Sequence, residues 1–483
     1  MKQKFIEVIC RFFIYQLVLS ASLSAKERPN IIVFLADDLG YGDCSIYNAE
    51  SKINTPHIDQ LASEGMLFTD AHSASTTCTP SRYGFLTGIN PCRTGVLNTI
   101  LKTGKPVIDS QELTIAEFLK KEGYSTSMIG KWHLGFEMNT EAKKPSFNFS
   151  ETLKGGPVDC GFDYYYGVHS SASASPMFYI KNNQPVKQPK GFTHVPKFSG
   201  AGKESQSKIQ ISDDFDVTEL SPHLTSEAVR LIKEHKANEK SKPFFLYFAS
   251  TIPHQPWVPS KKFLGKSGLG LYGDIVMQLD DEMGQINKAL KDTGLDKNTI
   301  LIFTSDNGPG PGAHTLMGLQ GHACSSVLKG MKSDAWEGGH RVPFIVKWPE
   351  KIKAGTVSNA LVNGTDIFAT IAEVLNVKLK KDNPQTAADS FSFYSVLMNQ
   401  SVKHNRPAMI AGRHSIRQGE WKLVSKQKKT DSGSLTQNNF ELYNLENDLG
   451  EEKGISKEHP ERSAELFKQF KKFADSRKLK EIK

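Results

Sequence analysis

Five strand-like runs, most of them closing on polar residues, constrain the fold of this chain more than any other feature. Ile31-Ile32-Val33-Phe34-Leu35-Ala36 ends in Asp37-Asp38, and Tyr124 to Gly130 ends in Lys131 and His133. Pro243 to Ser250 runs on to His254, Thr299 to Ser305 ends in Asp306-Asn307, and Val342 to Trp348 is the fifth run. Runs that are apolar throughout, rather than at every second position, predict strands buried on both faces. Between them, Thr114 to Glu122 (stopped by Gly123), Leu224 to His235 and Tyr272 to Lys291 have helical spacing. Strands alternating with helices predict an α/β fold, a large and mostly parallel sheet flanked by helices. Ligands of such sheets bind beyond the carboxyl ends of the strands. Four of the five runs deliver polar residues at that end.

Beyond about residue 385 the texture changes. Ser415 to Val424 and Phe440 to Leu445 read as short antiparallel strands, and Pro460 to Arg477 as a charged amphipathic helix. The expected division is a main domain over 26–385 and a small α+β subdomain over 386–483, an antiparallel sheet with a terminal helix. Residues 185–215 and 425–438 are polar and lysine-rich and are expected to be surface loops. At the other end, Lys2, Lys4 and Arg11 precede the apolar run Phe12 to Leu23 and the small residues Ser24-Ala25. That layout reads as a secretory signal over 1–25, which implies export to the periplasm or the cell exterior. The run is short for a bilayer span, so no stable membrane insertion is expected.

The formal net charge is +8, of which +2 lies in the leader. A modest positive balance suits an anionic substrate, and no basic-aromatic stripe of the nucleic-acid kind is present. Beyond the leader stand Cys44, Cys78, Cys92, Cys160 and Cys324. If Cys78 is consumed in chemistry, four remain, which either pair as two disulfides in an oxidising compartment or stay as buried thiols.

Read without a family, the candidate residues leave alternatives open. Cys78 in Cys78-Thr79-Pro80-Ser81-Arg82 is either a buried structural thiol or a nucleophile whose pKa a nearby cation lowers. Asp37-Asp38 and Asp306-Asn307-Gly308 are either turn and cap residues or an oxygen-only donor set suited to Ca²⁺ or Mg²⁺. Lys131 is a surface cation or a site cation, and His133 a loop histidine or a catalytic one.

Cys78-Thr79-Pro80-Ser81-Arg82, followed by Leu86-Thr87-Gly88, resembles the signature of the type I sulfatases of the alkaline phosphatase superfamily. Gly123-Tyr124-Ser125-Thr126 with Gly130-Lys131-Trp132-His133 is similar to the second signature of that family. The resemblance implies an alkaline-phosphatase-like fold and oxidation of Cys78 by a formylglycine-generating maturation enzyme to Cα-formylglycine. It also implies one calcium ion held by Asp37, Asp38, Asp306, Asn307 and the modified Cys78. His254, in Pro253-His254-Gln255-Pro256, matches the family's His-x-Pro histidine. Lys332, ahead of Glu337-Gly338-Gly339-His340-Arg341, matches its sulfate-binding lysine, with Lys329 as competitor.

The implied mechanism follows from charge. A sulfate ester repels an anionic nucleophile, so a hydroxyl of hydrated formylglycine, assisted by Arg82, is expected to attack sulfur. Lys131, Lys332 and the metal hold the sulfate oxygens. His254 protonates the departing alcohol, and His133 takes a proton as sulfate leaves. Ser171 and His169 are possible substrate contacts, and Trp257, Tyr165 and His322 could line a sugar site. The expected substrate is a sulfated polysaccharide or oligosaccharide. A phosphonate monoester hydrolase or phosphodiesterase of the same superfamily, and a non-catalytic sulfated-glycan-binding relative, are the alternatives.

Overall fold

The structure is a computed structural model that describes residues 28–97, 105–139, 146–238, 242–379, 386–399, 402, 404, 406–411, 414–426 and 436–475. The expected leader over 1–25, most of the expected loop over 425–438 and the end of the last helix at Arg477 lie outside them. Among the described residues no helix is long and apolar enough to cross a membrane.

The main sheet has ten strands: β1 Asn30–Asp37, β2 Met66–Phe68, β3 Ser125–Lys131, β4 Tyr164–Val168, β5 Ile180–Lys181, β6 Gln184–Pro185, β7 Phe244–Pro253, β8 Thr299–Ser305, β9 Phe344–Lys347 and β10 Thr356–Ser358. Their order is β10-β2-β9-β8-β1-β7-β3-β4-β5-β6. The central five, β8 to β4, are mutually parallel, whereas β9 runs antiparallel to β8 and to β2. This is the mixed, mostly parallel sheet that the alternation of elements predicts.

The apolar run of β1 is explained by its two covered faces. Ile31, Val33 and Leu35 pack with α2 (Cys78–Thr87), α3 (Ile115–Lys121) and α6 (Asp366–Val374). Ile32, Phe34 and Ala36 pack with α1 (Pro56–Glu64), α4 (Leu220–Ala237) and α5 (Gly270–Thr293). Every residue of β1 is buried, so period-2 alternation has no solvent face to mark.

A separate four-stranded antiparallel sheet follows, Met409–Ala411, Ser415–Gln418, Trp421–Ser425 and Phe440–Asn444. Leu466 and Phe470 of α7 (Pro460–Asp475) close its core with Ile416, Leu423 and Leu442. One expectation needs correction. Residues 185–215 are not simply a loop, because Gly191–Phe198 and Glu204–Ile211 pair as an eight-residue antiparallel hairpin. Its sequence hides this because only Val195, Phe198 and Ile209 are buried in it, too few apolar positions to show a period.

Candidate functional site

The carboxyl ends of β8, β1, β7 and β3 lie side by side, and the polar residues that end these strands converge there. The β1–β7 register slips between Leu35 and Asp37, and Asp38 adopts a left-handed backbone (φ 69°), a conformation that Asp tolerates better than most residues. The slip and the turn leave both buried carboxylates in one cluster with the buried Cys78 thiol and the partly buried His254. The backbone N–H of Asp38 donates to Asp306 Oδ1 (3.1 Å), tying the ends of β1 and β8 together.

Cys78 opens α2, whose Pro80 sits in the first turn, where its missing N–H costs no helical bond. Its Sγ lies 3.5 Å from Asp37 Oδ1 and 3.7 Å from Asp38 Oδ1, and Lys332 Nζ approaches it to 3.1 Å. Burial and the Asp306 carboxylate push this thiol far above its ordinary pKa, and Lys131 and Lys332 do not offset them. That direction runs against the low-pKa nucleophile reading of Cys78. Arg82 is directed elsewhere. Its Nε donates to Asp306 Oδ2 (3.0 Å) and its Nη1 to the Lys131 carbonyl (2.9 Å). Arg82 Nη2 lies 2.8 Å from the same Asp306 oxygen, too bent for a hydrogen bond.

Three cations match three carboxylates. Lys131 Nζ donates to Asp37 Oδ2 (2.7 Å), Lys332 Nζ to Asp38 Oδ1 (2.5 Å) and Oδ2 (2.8 Å), and Arg82 to Asp306. Burial raises the pKa of Asp37, but Lys131, His254 and Arg82 outweigh it and hold the group well below the usual range. Asp306 is pushed up to about 6 by burial and by the Asp37 charge, against Arg82. Lys329, the competitor of Lys332, lies outside this cluster: its Nζ donates to the Glu451 carbonyl (2.8 Å) and stacks over Trp336.

The donor set fits a hard divalent cation. Asn307 Nδ2 donates to Asp38 Oδ1 (2.7 Å) and to the Gly308 carbonyl (2.9 Å). That leaves Asn307 Oδ1 buried without a partner, beside three carboxylates. An oxygen-only set of this kind suits Ca²⁺ or Mg²⁺ and is poor for Zn²⁺.

The two histidines differ. His133 is buried and both of its ring nitrogens lack partners. Burial, with Lys131 and Arg82, holds it well below the usual imidazole pKa. Its carbonyl accepts from Thr79 Oγ1 (2.8 Å), one residue from Cys78. His254 Nδ1 is tied to the Gln255 carbonyl (2.5 Å), and its Nε2 lies 3.7 Å from Asp38 Oδ2. Burial lowers it to about 4, with Asp38 opposing and Lys332 assisting that shift.

The remaining candidates fall elsewhere. Ser171 is buried, and no described hydrogen bond joins its hydroxyl to the cluster. His169 packs against Phe147 and Phe178 and donates from Nε2 to the Pro176 carbonyl (2.7 Å). Trp257 stacks on Phe198 (4.4 Å), Tyr165 bonds backbone carbonyls inside the sheet, and His322 pairs with Asp43 (2.9 Å). All three are buried packing residues rather than exposed sugar contacts. Among the described residues, Cys44, Cys92, Cys160 and Cys324 are buried thiols and form no disulfide.

Sequence reasoning missed two supporting groups. Asp43 holds the turn after Asp38 by accepting from Gly40 N (2.8 Å), Tyr272 (2.5 Å) and His322. Its position three residues after a glycine was the available signal. Glu337 sits in a buried network with Arg341, Arg417 and Lys422. The neighbouring His340 carbonyl accepts from Ser73 N (2.8 Å), and Ser333 N donates to the Thr76 carbonyl (2.7 Å). The segment carrying Lys332 is thereby zipped to the one leading into Cys78.

Residues 29–377 match the profile of the Sulfatase family. An N-acetylgalactosamine-6-O-sulfatase of Bacteroides thetaiotaomicron is 33% identical over 491 positions, covering 91% of this chain and 92% of the relative. Human arylsulfatase A is 31% identical over 420 positions, covering 84% and 76% respectively. A solved chain from work on the metabolism of multiple glycosaminoglycans by Bacteroides thetaiotaomicron superposes with a TM-score of 0.81 at 31% identity. That superposition covers 93% of this chain and 100% of the other. The chain belongs to the sulfatase family, enzymes that hydrolyse sulfuric esters, within the alkaline phosphatase superfamily.

Proposed function

We propose that this sulfatase is exported and removes sulfate from sulfated carbohydrate, with Cys78 converted to Cα-formylglycine and one calcium ion bound. The observation that carries the reading is the position of the Cys78 side chain. It begins a buried helix and points between Asp37, Asp38 and Lys332. Burial and Asp306 hold the thiol above its ordinary pKa against Lys131 and Lys332, which supports a different group at that position, supplied by a maturation enzyme. Asp37, Asp38, Asp306 and Asn307 would hold the calcium ion, and the modified residue would complete its ligands. Together the two groups supply a neutral hydroxyl nucleophile and a Lewis acid.

The remaining steps belong to the chain's own side chains. Each lysine is committed to a carboxylate. A divalent cation on those carboxylates would relieve that pairing and leave the site positively charged toward a sulfate ester. Lys131 and Lys332 then bind sulfate oxygens, a contribution of the oxyanion-hole kind. Arg82 holds Asp306 in place. His133, neutral and with both ring nitrogens open, accepts a proton. His254 faces the site through Nε2, the atom that passes a proton to the leaving oxygen, and the ring must take up that proton with the anionic ester bound.

The substrate side rests on relatives. One with high coverage is named an N-acetylgalactosamine-6-O-sulfatase, so 6-O-sulfated N-acetylgalactosamine is the first sugar to test. The assay measures sulfate release from that sugar and from an aryl sulfate, against matched phosphate esters, with and without a calcium chelator. The reading expects preference for sulfate and loss of activity on chelation. Preference for the phosphate or phosphonate ester would move the chain to the alternative hydrolase class, and tight binding without release to the glycan-binding one. Export is tested by the N-terminus of protein recovered from the periplasm or medium, expected near residue 26.

A further inference from the structure

The hairpin Gly191–Phe198 and Glu204–Ile211 is joined to the catalytic centre at its tip. Phe198 N donates to Gln255 Oε1 (2.9 Å), next to His254, and the Phe198 ring stacks on Trp257. On the other side, Thr315 Oγ1 donates to the Gly200 carbonyl (2.7 Å). Thr315 belongs to the helix Pro311–Leu319, which starts four residues after Asn307. A side chain at Gly310, just ahead of that helix, would stand 3.2 Å from Asp38 Oδ2. The hairpin tip therefore packs beside the catalytic centre, and its strand spans ~20 Å between Phe198 and Phe192.

Its own charge is strongly positive, with Asp213, Asp214 and Asp216 following at its base. Residues 181–211 contain six lysines, Lys181, Lys187, Lys190, Lys197, Lys203 and Lys208, and one acidic residue, Glu204. This segment holds five net positive charges of a chain whose formal total is +8. All six lysines are exposed, and none is in an ion pair among the described residues. The register pairs His194 with Lys208 and Phe192 with Gln210, so Phe192, His194 and Lys208 share the outer face. Phe192 is 60% exposed, and Lys208 Nζ lies 4.6 Å over its ring. Val195 and Ile209, on the inner face, are buried.

We propose that this hairpin is a binding platform for a sulfated polysaccharide, holding the polymer beside the cleft that hydrolyses its sulfate esters. The inference rests on the sulfated-carbohydrate reading above and extends it to a second surface. Exposed lysines without ion pairs, spaced along a hairpin whose tip packs beside the catalytic centre, match the repeating charge of such a polymer. An exposed aromatic ring adds a flat apolar face for a sugar. The tip lysines Lys197 and Lys203 lie nearest the catalytic histidine in the chain path, Lys197 on the face of Val195, while Lys208 with Phe192 lies on the opposite face.

The test uses the full chain carrying unmodified Cys78, which binds without turnover, and the triple variant Lys197→Ser, Lys203→Ser, Lys208→Ser. These side chains are exposed and unpaired, so the fold is retained. Binding to chondroitin 6-sulfate and to its desulfated form is measured over a range of salt. In parallel, the matured forms of both proteins are assayed on a small aryl sulfate. The variant is expected to lose about tenfold in affinity for the sulfated polymer and to show a flatter salt dependence. Its rate on the aryl sulfate should match that of the parent. Equal affinity of parent and variant for the sulfated polymer, or equal affinity of the parent for both polymers, overturns the proposal. If the parent binds through these lysines yet releases no sulfate from any ester, the platform stands and the catalytic reading falls.

Discussion

Lys422→Met tests whether the C-terminal sheet is held to the catalytic domain by buried charge. Lys422 is fully buried, with its Nζ 2.9 Å from Glu337 Oε1 and 2.8 Å from Glu451 Oε1. Around it, Arg341 and Arg417 meet Glu337 and Asp70. Three cations thus face three carboxylates, and His72 and His340 are both lowered, by burial first, and stay neutral. Burial raises Glu337, but Lys422, His72 and Arg417 outweigh it. Glu451 stays raised because Lys422 does not fully offset its burial and the Glu337 charge.

Removing Lys422 leaves Glu337 with two arginines and Glu451 with no cation. Breaking a buried pair from one side costs about 3–5 kcal/mol, and proton uptake by Glu451 places this variant near 3 kcal/mol. Methionine replaces most of the aliphatic volume, so the loss is electrostatic rather than a cavity effect. Urea unfolding, followed by tryptophan fluorescence, should show the midpoint falling with little change in slope. Adding Glu451→Gln removes the stranded charge and should recover about half of the loss. A single variant within about 1 kcal/mol of the parent, or a double variant no better than the single, would refute the reasoning.

Three further outcomes follow from individual sites. Burial lifts Glu282 to about 7 from 4.5 against hydrogen bonds from Ser221 and Gln278. A raised carboxylate contributes its full stability below the unfolded pKa and loses it as pH rises through the folded one. Glu282→Gln should therefore match the parent near pH 4 and exceed it by about 3 kcal/mol near pH 8; denaturant titrations showing no gain near pH 8 would contradict this. Lys332→Ala should lower kcat on an aryl sulfate about 10²–10³-fold, whereas Lys329→Ala, away from the cluster, should leave kcat within about twofold; the reverse order would exchange the two lysines. Gly130 has φ 109°, and a Cβ there would lie 1.9 Å from the Ala249 carbonyl on β7. Gly130→Ala should cost at least about 3 kcal/mol and displace the adjoining Lys131, measured by unfolding and by aryl sulfate turnover; near-parental stability would show that β3 and β7 can separate there.

Much of the fold was legible because β1, β7 and β8 are covered on both faces, which makes their apolar runs continuous. Helix α5 was legible from its spacing, since one face packs on the sheet and the other meets solvent. The short strands β2, β5, β6 and β10 were not, since two or three residues cannot establish a period. The hairpin over 191–211 was missed because it is mostly exposed. At the site, Asp37, Asp38, Asp306, Asn307 and Cys78 are sequence-local groups at strand or helix ends, which short motifs bring to notice. The Glu337–Lys422 network is different in kind. Its members are about 85 residues apart, and a charge within a strand reads as solvent-facing until tertiary packing covers it. The direction of Arg82 toward Asp306 rather than Cys78 likewise depends on how α2 packs against the ends of β8 and β3.

The central claim is that Cys78 is the precursor of the catalytic group. Trypsin releases it in the peptide Ile53–Arg82, from protein made in a host that has the maturation enzyme. The account predicts a peptide about 18 Da lighter than the cysteine form, the mass difference between thiol and aldehyde, and sulfate release that scales with the modified fraction. An unmodified thiol from a host shown to mature another sulfatase would contradict it, as would sulfate release from protein in which Cys78 is wholly unmodified.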